Sequence, residues 1–171
     1  MCCENRGVDT PWLTSEQLAA WVRFIGVVEL LPGVLDSQLR RDAQLTHFDY
    51  YVLSQLSEAP EHTLRMTALA SRTAATLARL SHVVQRLETR GLVERFPCPR
   101  DRRATNARLT DAGFDKVRAS APGHVDTVRE YVVDALTPEQ LTQLGVISDA
   151  LLRKLDPGND RAEIYRRYDP L

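Results

Sequence analysis

The chain has 171 residues, 43% of them hydrophobic and 26% charged, with a formal net charge of −1. That is enough to bury the core of one domain with extensions, and the composition excludes a disordered chain. The three cysteines, Cys2, Cys3 and Cys98, are an odd set without paired spacing, which excludes a disulfide framework and fits a reducing cytoplasm.

The first residues carry Glu4 and Asp9 and no apolar run, so no secretory leader is expected. Residues 1–13 read as a tail. Thr14-Ser-Glu-Gln17 is a capping box, and a long helix is predicted from it to about Arg41. Trp21, Val22, Phe24, Ile25, Val27, Val28, Leu30 and Leu31 cover nearly its whole circumference. A helix apolar on most sides must be covered on most sides, and in so short a chain a second copy is the simplest cover. The apolar stretch Phe24 to Leu35 is interrupted by Glu29 and Pro32–Gly33, which reads as too short to span a bilayer. Pro32 is expected to bend the helix, because it removes one internal hydrogen bond.

Thr46-His-Phe-Asp49 opens a second helix, which ends before Pro60. Leu64–Met66 reads as a short strand, and Thr67 as the cap of a short helix holding Leu69 and Ala70. Thr76 caps the next helix, which runs to about Arg90 with Gly91 as its stop signal. Leu80, Val83, Val84 and Leu87 recur at helical spacing and predict its inner face. Leu92–Phe96 and Ala104–Leu109 read as strands joined by Pro97–Arg102. Thr110 caps another helix, apolar at Val117, Val125, Val128 and Val132. Thr137-Pro-Glu-Gln140 is a further capping box, and its helix ends at Pro157–Gly158. The tail 157–171 is polar, with Tyr165 and Tyr168.

A pair of helices followed by a β-hairpin is a winged helix-turn-helix. The expected fold is therefore mainly α with a small β-wing. The winged unit spans 46–110, between an N-terminal helical segment (14–45) and C-terminal helices (111–156) that serve dimerisation.

Charge is segregated along the chain. From Arg65 to Arg108 stand ten Arg against Glu88, Glu94 and Asp101, a net of +7; the segments before and after carry −5 and −3. An all-arginine footprint on the winged segment suits phosphate and guanine, which accept two parallel hydrogen bonds from one guanidinium.

Leu69-Ala70, Leu87-Glu-Thr-Arg-Gly-Leu-Val-Glu-Arg95, Asp101-Arg-Arg103 and Leu109-Thr-Asp-Ala-Gly113 together resemble the core of the MarR family of bacterial regulators. The middle motif is specific, whereas the flanking helices, within a likeness over about 14–155, match in pattern alone. The resemblance implies a triangular homodimer on a pseudo-palindromic operator in double-stranded DNA, regulated in many members by a small ligand or an oxidant.

On the recognition helix, Ala78, Arg79, Ser81, His82, Gln85 and Arg86 are outward or flanking. Arg79 and His82 are expected at base edges, with Gln85 a further candidate. Thr76, Ser81 and Arg86 are expected at phosphates, which position without specifying. In the wing, the resemblance implies that Arg103 enters a minor groove, braced by Asp101, while Arg100 and Arg102 add phosphate contacts.

The resemblance further suggests an aromatic effector near Trp21, Arg23, His47, Tyr50 and Tyr51. His47, His62, His82 and His124 lack metal-ligand spacing, so no metal or cofactor is expected. Control by oxidation of Cys98, in the wing near Arg95 and Arg100, is a second reading. The same fold could also serve a metal-responsive regulator, or a winged-helix dimer devoted to protein contacts. No nucleophile elbow, P-loop, GxGxxG or HExxH motif points to an enzyme. The expected product is a cytoplasmic repressor with no membrane partner.

Overall fold

The computed structural model describes residues 11–99, 101–158 and 164–165, and of Arg102 the backbone alone. In chain order these form helices α1 (Ser15–Ala43) and α2 (His47–Ser57), a 3-10 turn (Pro60–His62), strand β1 (Thr63–Arg65), helices α3 (Met66–Arg72) and α4 (Leu77–Thr89), strands β2 (Val93–Cys98) and β3 (Asp101–Leu109), helix α5 (Asp111–Val128) with a π-helical continuation (Arg129–Val133), and helix α6 (Pro138–Leu155). The fold is mainly α with one small antiparallel sheet in the order β1-β3-β2, as expected. The chain divides into two compact units, Met1–Val34 and Leu35–Leu171.

In the first unit the capping box forms as predicted. Gln17 N donates to Thr14 Oγ1 at 3.3 Å and Thr14 N to Gln17 Oε1 at 2.9 Å. Trp21, Val22, Phe24, Val27, Val28 and Leu30 are all exposed. The helix continues through Pro32 without a break. The interrupted apolar stretch read from the sequence is thus corrected: by length and composition α1 suffices to cross a membrane.

The second unit holds the core. Leu39, Leu45, Val52, Leu53, Leu56, Leu69, Leu80, Val84 and Leu87 are fully buried, and β2 and β3 close the cluster with Val93, Ala107 and Leu109. The α4 pattern is clean, since its buried residues are the four predicted, Leu80, Val83, Val84 and Leu87. Gly91 takes φ 70°, a left-handed conformation that costs glycine little, and its N–H donates to the Glu88 carbonyl at 2.8 Å. Thr110 caps α5 by accepting from Gly113 N at 3.0 Å and donates to the Gly91 carbonyl at 2.7 Å. It thereby ties the start of α5 to the end of α4.

Three expectations are corrected. The cap of α3 is Arg65, without a side-chain bond, and Thr67 lies inside the helix, because β1 hands over to α3 one residue earlier. The strands run longer, so Pro97–Cys98 and Asp101–Arg103 belong to the hairpin, with a register irregularity at Pro97/Cys98. The strand expected at Leu64–Met66 begins at Thr63 and pairs with β3 through Thr63↔Arg108, making the sheet three-stranded. Of the α5 apolar positions Val117 is buried whereas Val125 is exposed. α6 has no buried residue.

Candidate nucleic-acid interface

With its inner face committed to the core, α4 turns Ala78, His82, Gln85 and Thr89 outward, spaced to form one exposed line. Thr76 caps this helix, accepting from Arg79 N at 3.2 Å. Ser81 is half-buried on the flank toward the wing. Arg79 and Arg86, seven residues apart, share the opposite flank, which faces α2. The Arg79 guanidinium lies over the Phe48 ring, 4.2 Å from its centroid. Arg86 pairs with Asp49, a buried carboxylate that also accepts from Thr46 N at 3.0 Å to complete the α2 capping box. Arg86, expected at a phosphate, is therefore spoken for by an internal partner, although its side chain stays half exposed.

The wing is braced from within. Asp101 Oδ1 accepts from Arg103 N at 3.1 Å, and its other oxygen stands 3.7 Å from Arg65. That agrees with the bracing role read for Asp101. Cys98 is buried, with the Arg65 guanidinium 3.6 Å from Sγ. Glu88 takes the Arg95 guanidinium at 2.9 and 2.6 Å, and this partner holds the Glu88 carboxyl below its usual range. Glu94 pairs with Arg108 at 2.6 Å. The three acids of the segment are thus all engaged by arginines, while the surplus charge remains on its surface. Arg100 lies outside the described residues, as does the side chain of Arg102.

Between the wing and α4 opens a crevice of about 200 Å³ lined by Arg65, Thr67, Ser81, Arg95, Arg103 and Thr105 among others. The lining combines three arginines with three hydroxyl side chains, a chemistry that suits a phosphate group, with the Arg95 guanidinium already held by Glu88. Arg65, Thr67, Arg95 and Thr105 were not legible as site residues. Their juxtaposition depends on β1 pairing with β3, a contact across more than forty residues.

The expected effector residues fall in both units. Trp21 packs on Phe24 with ring centroids 6.4 Å apart, and Arg23 donates to the Ala19 carbonyl at 2.9 Å, both within the first unit. Tyr51 donates its hydroxyl to the Arg72 carbonyl at 3.1 Å. His47 and Tyr50 instead meet His124 of α5, at 6.1 and 4.7 Å between centroids. Burial lowers the pKa of both histidines and raises that of Tyr50. His124 Nδ1 is buried without a hydrogen-bond partner among the described residues. The described residues contain no cluster of three or more His, Cys, Asp or Glu able to hold a metal.

Residues 43–104 match the family model described as MarR family. A MarR family transcriptional regulator from Streptomyces coelicolor, solved in complex with DNA, is 47% identical, with a TM-score of 0.82. The likeness covers 84% of this chain and 94% of that one. This chain belongs to the MarR family. AbsC, another MarR family transcriptional regulator from Streptomyces coelicolor, is 38% identical over 86% of this chain and 99% of its own, also at a TM-score of 0.82. The uncharacterized HTH-type transcriptional regulator YdcH of Bacillus subtilis (strain 168) is 34% identical over 80 residues, 46% of this chain. That match spans about half of the length of YdcH, 54%. The winged helix-turn-helix of the MarR family accounts for the order α2, β1, α3, α4, β2, β3 found here.

Proposed function

We propose that this MarR-family regulator is a homodimeric DNA-binding repressor acting in the cytoplasm on a pseudo-palindromic operator. The carrying observation is the arginine-rich winged unit, whose recognition helix presents an exposed line, Ala78, His82 and Gln85, clear of its core face. The 47%-identical relative in complex with DNA supports the same reading.

In this reading α4 enters the major groove, with Arg79, His82 and Gln85 at base edges and Ala78 in close approach. Thr76 and Ser81 hold backbone phosphates, and the crevice beside Ser81 adds Arg65, Thr67 and Thr105 to them. Arg103 reaches a minor groove with Arg100 and Arg102 beside it. Arg86 anchors α4 to α2 through Asp49. The exposed apolar residues of 14–45 and 111–156 meet those of a second copy, which accounts for the membrane-like composition of α1 without a membrane. An aromatic effector binds near His47, Tyr50 and His124, shifting the spacing of the two recognition helices; Trp21, Arg23 and Tyr51 belong to the same sequence-based set. No catalytic step, metal or cofactor enters this reading.

The test is selection from random duplex DNA at about 150 mM salt, followed by affinity measurement across a salt series. A two-fold motif with half-sites about one helical turn apart, roughly 34–36 Å, is expected. Its affinity should fall steeply with salt as phosphate contacts release counterions. No enrichment by a folded dimer, at low salt as well, would overturn the proposal in favour of protein contacts.

A further inference from the structure

Two aromatic-acidic neighbours in the first turn of α2, Phe48 and Asp49, each engage one arginine of the recognition helix, but in different ways. Asp49 takes N–H donors of Arg86. Phe48 instead sets its ring face beneath Arg79, whose guanidinium carbon sits 4.2 Å from the ring centroid. A phenyl ring offers no lone-pair acceptor, so this contact commits none of the guanidinium's N–H donors to a conventional hydrogen bond. No hydrogen-bond acceptor or ion-pair partner stands against the Arg79 side chain among the described residues. Phe48 itself is fixed, half-buried and packed against the core cluster. Arg79 is therefore held in place with its hydrogen-bonding fork open, one turn into a helix whose outer face is exposed. The chemistry matching an open planar fork is the O6/N7 edge of guanine.

We infer that Phe48 is a positioning residue for base readout, presetting Arg79 to contact a guanine in each half-site. The inference rests on the DNA-binding reading above and adds to it a residue on a different helix and the identity of one base. Holding a long side chain before binding reduces the rotamer freedom lost on contact. The hold is supplied by α2, so the discrimination made by α4 depends on a side chain that touches no DNA.

The experiment is selection from random duplex DNA, then affinity measurement at fixed salt, with wild type, Phe48→Leu, Phe48→Tyr, Arg79→Ala and the Phe48→Leu/Arg79→Ala double variant. The wild type should enrich a guanine at a position that Arg79→Ala no longer selects. Phe48→Leu should weaken preference for that guanine about 5-fold or more, the order expected for an aromatic–cation contact. Phe48→Tyr, which keeps a ring face, should restore it, and the double variant should bind no worse than Arg79→Ala alone. Wild-type discrimination in Phe48→Leu, or an equal loss in the Arg79→Ala background, would overturn the inference while leaving the DNA reading intact. A wild type that enriches no motif overturns both. Free of DNA and of any variant, the Arg79 Hε resonance should be shifted upfield by the Phe48 ring current; an unshifted line would also overturn the inference.

Discussion

Gly113 offers the sharpest test of how the recognition helix is seated. It lies in the first turn of α5, buried, with its N–H on Thr110 Oγ1. A Cβ added there would stand 2.1 Å from the Leu92 carbonyl oxygen and 2.7 Å from Leu109 Cδ1. Ordinary contact begins near 3.4 Å, so α5 and the start of the hairpin would have to part by about 1.3 Å. The Leu92 oxygen is backbone and accepts from Thr110 N at 3.1 Å, so it cannot rotate away. Alanine gains up to about 1 kcal/mol of helix propensity over glycine. Against that stand overpacking of about 1–3 kcal/mol and a lost hydrogen bond of about 1 kcal/mol. Gly113→Ala should therefore destabilise by about 2 kcal/mol, lowering the thermal midpoint by about 4–8 °C for a chain of this size. Urea unfolding followed by far-ultraviolet circular dichroism, at one fixed protein concentration, measures it. A variant as stable as the wild type, or more so, would refute the close seating of α5 on Leu92.

At Gly91 the obstacle is conformational, since an added Cβ meets nothing within 4 Å but φ is +70°. Gly91→Ala should cost about 1 kcal/mol in the same unfolding assay. Asp49→Ala removes a capping-box acceptor and the partner of Arg86 together. A loss of about 2 kcal/mol is expected, at the low end for a buried charge because the half-exposed Arg86 can be hydrated. A change under about 0.5 kcal/mol would contradict that. Burial holds His47 and His124 below the ordinary value of 6.5 despite Asp36 beside His47, so the unfolded chain binds more protons than the folded one as pH falls through 6.5. Stability should be fully present above about pH 6.5 and decline below it toward the lower folded values, and His124→Gln should flatten that decline. Arg103→Ala should weaken operator binding and relax preference in flanking A·T pairs; unchanged affinity would exclude the minor-groove role.

The sequence showed what is local. The capping boxes at Thr14 and Thr137 and the caps at Thr76 and Thr110 are contacts across three residues and formed as read, and the helix start read at Thr46 also carries a capping box. The inner face of α4 was legible because its period is written in four aliphatic side chains. What escaped is long-range. Arg86 was assigned outward from the helical wheel, yet its partner Asp49 lies 37 positions earlier. Nothing in the sequence placed Arg79 over Phe48. The crevice of Arg65, Arg95 and Arg103 required a strand pairing that a three-residue segment cannot signal. Pro32 lies inside α1, which runs through it as predicted, whereas Pro97, read as part of the connection, sits in a strand at a register irregularity, where a missing N–H is tolerated.

Among the described residues the fully buried side chains fall between Leu39 and Ala107, while α6 buries none and the exposed aromatics and aliphatics cluster on α1 and α6. Two populations of apolar positions therefore answer to different demands. Changes among the first are screened by whether one polypeptide folds; changes among the second escape that filter and are screened by what the folded surface meets. On the dimeric reading proposed above, a lineage of such chains can alter its partner choice without disturbing the scaffold that carries the arginines, and duplicated copies can become separate, non-mixing regulators by drift along two helices.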